Sequence, residues 1–152
     1  MKTKKFGKIH TYSLLLVFLF IAIISCNKNP YNDNSRLLGT WENKQPNFTE
    51  TYIYDGITFT SSGSYKMKVK SIIWSSDASG IIYGRYTENT YNPSVVGKYY
   101  AVSFKDLTYT SISISGAYKD RKMAADTLVE AITEFTINNG YYSTYSSCKK
   151  VK

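Results

Sequence analysis

The chain has 152 residues, and its 19 Lys and Arg against 11 Asp and Glu give a formal net charge of +8 at pH 7. This length suits one domain of ordinary size and excludes two large ones. Without the first 25 residues the balance falls to 15 basic against 11 acidic residues, spread along the chain, which argues against a nucleic-acid partner.

The first 25 residues have the order of parts of a secretory signal. Polar and basic residues 1–12 precede an apolar run over 14–24, which is too short to span a bilayer. The run ends in Ile23-Ile24-Ser25-Cys26, which resembles the lipobox of bacterial lipoprotein signal peptides. The alternative is an N-terminal anchor helix that stays on the protein.

The lipobox resemblance implies that residues 1–25 are removed and that Cys26 carries the lipid. Several acyl chains on one residue hold a protein firmly in a membrane, whereas one chain alone binds marginally. Residues 26–35 are polar and turn-rich, which predicts a flexible, lipidated tether. The expected location is the bacterial cell envelope, at the outer membrane or cell surface rather than the inner membrane.

From residue 36 onward, alternating apolar and polar residues predict a series of short strands. The predicted strands cover 37–42, 51–61, 65–70, 80–88, 98–106, 107–115 and 141–151. About seven strands at this spacing are typical of a sandwich or an up-and-down barrel. Lys66, Lys68 and Lys70 alternate with apolar residues and are expected on a wetted strand face, the alternative being a patch for anionic lipid.

Residues 120–136 show a helical period instead. Apolar residues recur there at intervals of three and four, which predicts one buried helix face with Asp120 as N-cap and Gly140 as the stop signal. The residues with this period are Ala125, Leu128, Val129, Ile132 and Phe135.

No residue set in the mature chain indicates catalysis or metal binding. The single histidine, His10, lies in the predicted leader, so histidine-dependent triads and histidine zinc sites are excluded. Cys148 has no partner for a disulfide bond and is expected to be a half-buried thiol on the last strand. The expectation is a monomeric protein without enzymatic activity, cofactor or metal.

Gly39-Thr40-Trp41, at the start of the first predicted strand, resembles the Gly-x-Trp motif of lipocalins and the broader calycin group. The resemblance implies a mainly β protein, a small antiparallel barrel over 36–152 with one C-terminal helix and a short closing strand. It also implies that Trp41 plugs the closed end, with Lys149 or Lys150 packed on its ring.

The same resemblance implies a small hydrophobic ligand inside the barrel. Its candidate contacts are the apolar positions of two strands, with Ile57 and Phe59 completing the wall: Tyr65, Met67, Val69, Tyr100, Val102 and Phe104. The alternative is a cell-surface interaction module, of adhesin or inhibitor type, with a barrel filled by its own side chains and exposed tyrosine-rich loops. The volume of the barrel cavity distinguishes the two hypotheses.

Overall fold

A computed structural model describes residues 33–151, which form a closed, eight-stranded antiparallel β-barrel. The predicted leader and Cys26 lie outside the described residues. The strands are β1 (Gly39–Gln45), β2 (Phe48–Tyr54), β3 (Thr58–Ser61), β4 (Tyr65–Trp74), β5 (Gly80–Asn89), β6 (Tyr99–Lys105), β7 (Ser111–Gly116) and β8 (Ser146–Lys150). Within residues 33–151, two 3₁₀ helices cover Asn34–Leu37 and Pro93–Val95, and one α-helix, α1, covers Leu128–Glu134.

Each strand pairs with the next along the chain, and β8 returns to pair with β1. The predicted fold class, a mainly β antiparallel barrel with one helix and a closing strand, is confirmed. Because the strands alternate in direction, the loops after odd-numbered strands lie at the end where β1 finishes, here called the open end. The loops after even-numbered strands lie at the opposite end, here called the closed end. None of the helices within 33–151 has the length and apolar character needed to cross a membrane.

The prediction of a single strand over 51–61 is wrong, because these residues belong to two strands, β2 and β3, that are joined by a tight turn. Asp55 starts the turn, and its carboxylate accepts hydrogen bonds from the backbone N–H groups of Ile57 (2.8 Å) and Thr58 (2.6 Å). Gly56 follows with φ +96°, a conformation that favours glycine. This turn creates the eighth strand and leaves Ile57 64% exposed, so Ile57 does not line the barrel as predicted.

The predicted helix over 120–136 is too long, since α1 contains only Leu128–Glu134. Its N-cap is Thr127, whose side chain accepts a hydrogen bond from the third residue of the helix. Asp120 has φ +50° and lies in a turn well before the helix, so it is not the N-cap.

Strand-like contacts account for the shorter helix. The N–H and C=O of Ala125 both bond to the backbone of Tyr99, at 2.9 and 2.8 Å, and these bonds replace helical ones. The helix itself packs outside the barrel against β5 and β6. There the Tyr83 hydroxyl donates to the carbonyl of Phe135 at the end of α1 (3.1 Å).

The 3₁₀ helix Asn34–Leu37 seals the closed end of the barrel. Trp41 is 1% exposed, and its indole N–H donates to the carbonyl of Leu37 (2.9 Å). The Arg36 guanidinium donates to the carbonyls of Asp77 (2.5 Å) and Leu107 (3.1 Å) in the two neighbouring loops. These bonds tie the segment before β1 to two of the three loops at the closed end.

Of the two predicted basic partners of Trp41, Lys150 is the one that packs on the ring. Its Nζ lies 4.8 Å from the centre of the Trp41 ring, within cation–π distance. Gly39 leaves room for this lysine, because a Cβ at that position would lie 2.7 Å from the Cε of Lys150. Gly39 also has φ +127°, a backbone conformation that favours glycine.

Candidate functional site

The six predicted ligand contacts on β4 and β6 face the inside of the barrel. Cross-strand partners lie on the same face of a sheet, and Val102 and Phe104 pair with the inward residues Ile82 and Gly80. Met67, Tyr100, Val102 and Phe104 are buried, whereas Tyr65 and Val69 are partly buried. The structure therefore brings all six predicted residues to one continuous inner surface, and their role as a ligand pocket stays a prediction.

The half of the barrel next to the closed end is filled by side chains. The cavity within it has a volume of about 10 Å³, which is room for about one water molecule. Trp74 packs edge-on against Phe104 at this end, with 4.9 Å between ring centres. The cavity is lined by Leu37, Trp41, Tyr54, Phe59, Ile82, Val102, Phe104, Ile112 and Ile114.

Three tyrosines in mutual contact occupy the other half, and we call them the tyrosine cluster: Tyr65, Tyr86 and Tyr100. The rings of Tyr86 and Tyr100 stack with centres 4.8 Å apart, and Tyr65 meets Tyr100 edge-on at 5.2 Å. A Cβ added at Gly116 would overlap the Tyr100 hydroxyl, so the neighbouring strand β7 is also in close contact with the cluster. Sequence reasoning missed Tyr86, although it falls at the same alternation as Ile82 on its strand.

Burial determines the charge state of the tyrosine cluster. Desolvation raises the pKa of Tyr65, Tyr86 and Tyr100 above the ordinary value for tyrosine. All three hydroxyls are therefore protonated at neutral pH, and the cluster presents uncharged donors and acceptors. This arrangement holds side chains together by ring packing and provides no anionic nucleophile.

The Cys148 thiol on β8 is buried and lies within range of the Glu50 charge, and Glu50 belongs to a small group of polar side chains. Asn43 donates to the Glu50 carboxylate (2.9 Å) and accepts from Gln45 (2.9 Å). Burial, with a smaller contribution from the Glu50 charge, raises the pKa of the Cys148 thiol to about 12. Cys148 is thus a neutral, buried thiol, more deeply buried than predicted, and is not activated as a nucleophile. No group of His, Cys, Asp or Glu within 33–151 has the arrangement of a metal site.

Three exposed aromatic side chains lie at the open end, at the start of β2 and in two loops, and we call them the open-end aromatics: Phe48, Tyr91 and Tyr118. Their exposed fractions are 57%, 80% and 57%. Asn89 holds the loop of Tyr91 in place, because its side chain accepts from the N–H groups of Tyr91 (3.1 Å) and Asn92 (2.8 Å). Aromatic residues on a fixed surface are common at protein interfaces. Sequence reasoning anticipated tyrosine-rich loops but did not single out these residues.

No protein-family model matches the chain, and no curated protein matches it. Among solved structures, the chain is similar to the crystal structure of pallilysin from Treponema pallidum, with 13% sequence identity and a TM-score of 0.45. The similarity covers 78% of this chain and 82% of that chain.

Proposed function

We propose that this protein is a lipid-anchored, non-catalytic interaction module of the bacterial cell envelope. The observation that carries the proposal is the packing of the barrel interior. Ligand pockets usually have volumes of several hundred Å³, whereas the cavity next to the closed end has about 10 Å³. In the other half the rings of the tyrosine cluster are in mutual contact, so we assign recognition to the outside of the barrel, at the open-end aromatics.

The anchoring and the family resemblance belong to the same proposal. The lipobox residues Ile23 to Cys26 support an acylated N-terminus, and thereby a location at the membrane surface. The packing of Lys150 on Trp41, with Gly39 beside it, supports the resemblance to calycins. A calycin-like barrel with a filled interior can serve as a rigid support for its loops.

Photo-crosslinking in intact cells of the native host tests the interaction surface. With p-benzoylphenylalanine in place of Tyr91 or Tyr118, we expect ultraviolet-dependent adducts of the same mass from both positions, since both loops contact one partner. Tyr109 is the matched control because it is 84% exposed but lies in a loop at the closed end. Adducts are measured by immunoblot and identified by mass spectrometry. Equal adducts from Tyr109, or none from Tyr91 and Tyr118, contradict the proposal.

The second candidate function is binding of a small hydrophobic molecule inside the barrel. It is favoured by one observation, which is that all six residues predicted to contact a ligand share the inner surface. In this case the tyrosine cluster would have to open to admit the ligand.

Titration with a fluorescent fatty acid distinguishes the two functions. We expect no saturable binding up to tens of micromolar, because the rings of the tyrosine cluster and Phe104 already occupy the interior. Saturable binding that weakens in Phe104→Ser, with the fold retained by circular dichroism, would instead support the hydrophobic ligand. Mass spectrometry of organic extracts from the natively purified, delipidated protein provides an independent check.

A further inference from the structure

The barrel closes through its shortest ladder, between β1 and β8. Only two residue pairs connect these strands, Trp41 with Lys150 and Glu42 with Lys149. Every other pair of neighbouring strands in the barrel has at least three paired residues. The remaining half of each strand therefore continues toward the open end without a partner on this side.

The direction of the backbone groups follows from bonds at the ends of this ladder. The N–H of Val151 donates to the carbonyl of Thr40 (2.9 Å), so the even-numbered residues of β1 turn their backbone groups toward β8. The next such residue beyond the ladder is Lys44.

The same argument applies to β8. The N–H of Lys150 donates to the carbonyl of Thr110 on the β7 side (3.0 Å), so the odd-numbered residues turn toward β1. The next odd residue beyond the ladder is Ser147. The register of the ladder would pair Ser147 with Lys44, and this pair is not formed. The backbone N–H and C=O groups of Lys44 and Ser147 consequently face a gap between the two strands.

A groove of about 280 Å³ lies along this gap, and we call this groove the β1–β8 seam. Lys44 forms an ion pair with Glu42 (3.0 Å), which leaves Lys149 and Lys150 as the excess charges. Neither of these two lysines pairs with a carboxylate within 33–151. The groove is lined by Glu42, Asn43, Lys44, Ser147, Lys149, Lys150 and Val151.

We propose that the β1–β8 seam binds an extended, acidic peptide segment of the partner by strand addition, an inference that rests on the proposed role as an interaction module. Free backbone groups of a strand edge give such a complex its affinity, and side-chain contacts give it specificity. The peptide backbone bonds Lys44 and Ser147, and its carboxylates meet Lys149. The seam is continuous with the open-end aromatics, because β1 runs on from Lys44 to the hairpin that carries Phe48.

Fluorescence anisotropy with two labelled octapeptides tests the site, one alternating Val and Glu and the other alternating Val and Lys. We expect saturable binding of the Glu peptide to the native protein and at least tenfold weaker binding of the Lys peptide. Lys149→Gln should weaken binding of the Glu peptide by up to about fivefold, which is the effect of one exposed ion pair.

Ser147→Pro removes the N–H that faces the seam and leaves the β7 ladder intact, because edge positions of this kind tolerate proline. We expect it to weaken binding of the Glu peptide at least tenfold, whereas the control Ser147→Ala, which keeps the N–H, leaves binding unchanged. Equal binding by the two variants, equal binding of the two peptides, or no saturable binding of the Glu peptide overturns the proposal.

Hydrogen exchange on the unmodified protein keeps the test independent of variant folding. In the free protein we expect the amides of Lys44 and Ser147 to exchange faster than those of Glu42 and Lys149, and the Glu peptide to slow them at least tenfold. Unchanged exchange at both amides in the presence of the peptide overturns strand addition. If Tyr91 and Tyr118 give no crosslinks but the Glu peptide still binds by strand addition, the proposed open-end surface is wrong and the proposed peptide site at the seam is retained.

Discussion

Replacing Trp41 by alanine is expected to lower the free energy of unfolding by about 3–5 kcal/mol, the usual cost for a buried tryptophan. The ring is 1% exposed, its N–H bonds to Leu37, and Lys150 covers one face. Its neighbours leave a void of only about 10 Å³ and are close-packed, so they cannot collapse into the space that the ring vacates. Because a domain has about 5–15 kcal/mol of stability in total, this loss is a large fraction of it.

Trp74→Ala is the matched control for this substitution. Trp74 is partly exposed, and its N–H bonds to the side chain of Asn34 at the surface (2.9 Å). Its main packing contact is the edge-on meeting with Phe104. We expect a loss of about 1–2 kcal/mol, within the common range for single substitutions. Both values are measured by urea unfolding followed by circular dichroism, and equal losses would contradict the role of Trp41 as the plug of the closed end.

Much of the barrel could be predicted from sequence, because alternation of apolar and polar residues reports directly on the two faces of a strand. The predicted start of β4 is correct, but its predicted end at residue 70 is four residues early. A bulge at Lys70 causes the difference, because Val69 pairs with Gly84 whereas Ser71 pairs with Tyr83. Odd-numbered residues of β4 face inward before the bulge, and even-numbered residues face inward after it. An alternation pattern cannot extend through such a shift.

The missed turn at Asp55-Gly56 has a sequence signal, because Asp-Gly is a strong hairpin dipeptide. It was obscured by residues of high strand propensity on both sides. The closing strand was predicted over 141–151 and begins only at Ser146. The preceding residues belong to the packing of α1, since the Tyr142 hydroxyl donates to the carbonyl of Phe135 (3.1 Å).

The residues that face the inside of the barrel could likewise be predicted, but whether their side chains fill the interior could not. Alternation places Tyr65 and Tyr100 inside, yet whether their rings meet depends on how they pack over β5, the strand between theirs, which contributes Tyr86. The β1–β8 seam has no sequence signature either. It depends on where the pairing of two distant strands stops, which is a property of barrel closure.

Replacing Cys26 by alanine is expected to abolish lipid attachment completely, because the lipobox resemblance implies that the lipid is bonded to the thiol of Cys26. Incorporation of an alkyne-labelled palmitate, measured by in-gel fluorescence, should fall to background. The variant should also accumulate as an uncleaved precursor or a soluble product, since the lipidated cysteine defines the cleavage position in that signal class.

Cys148→Ala is the matched control, and it exchanges the only other cysteine of the chain for the same residue. The Cys148 thiol is 1% exposed, and its pKa is raised to about 12 by burial and by the Glu50 charge. A thiol that is neutral and inaccessible does not compete for acylation, so labelling of this variant should equal that of the unmodified protein. Palmitate labelling that persists in Cys26→Ala would rule out Cys26 as the acylated residue. Labelling lost only in Cys148→Ala would move the lipid to the last strand and contradict its burial inside the barrel.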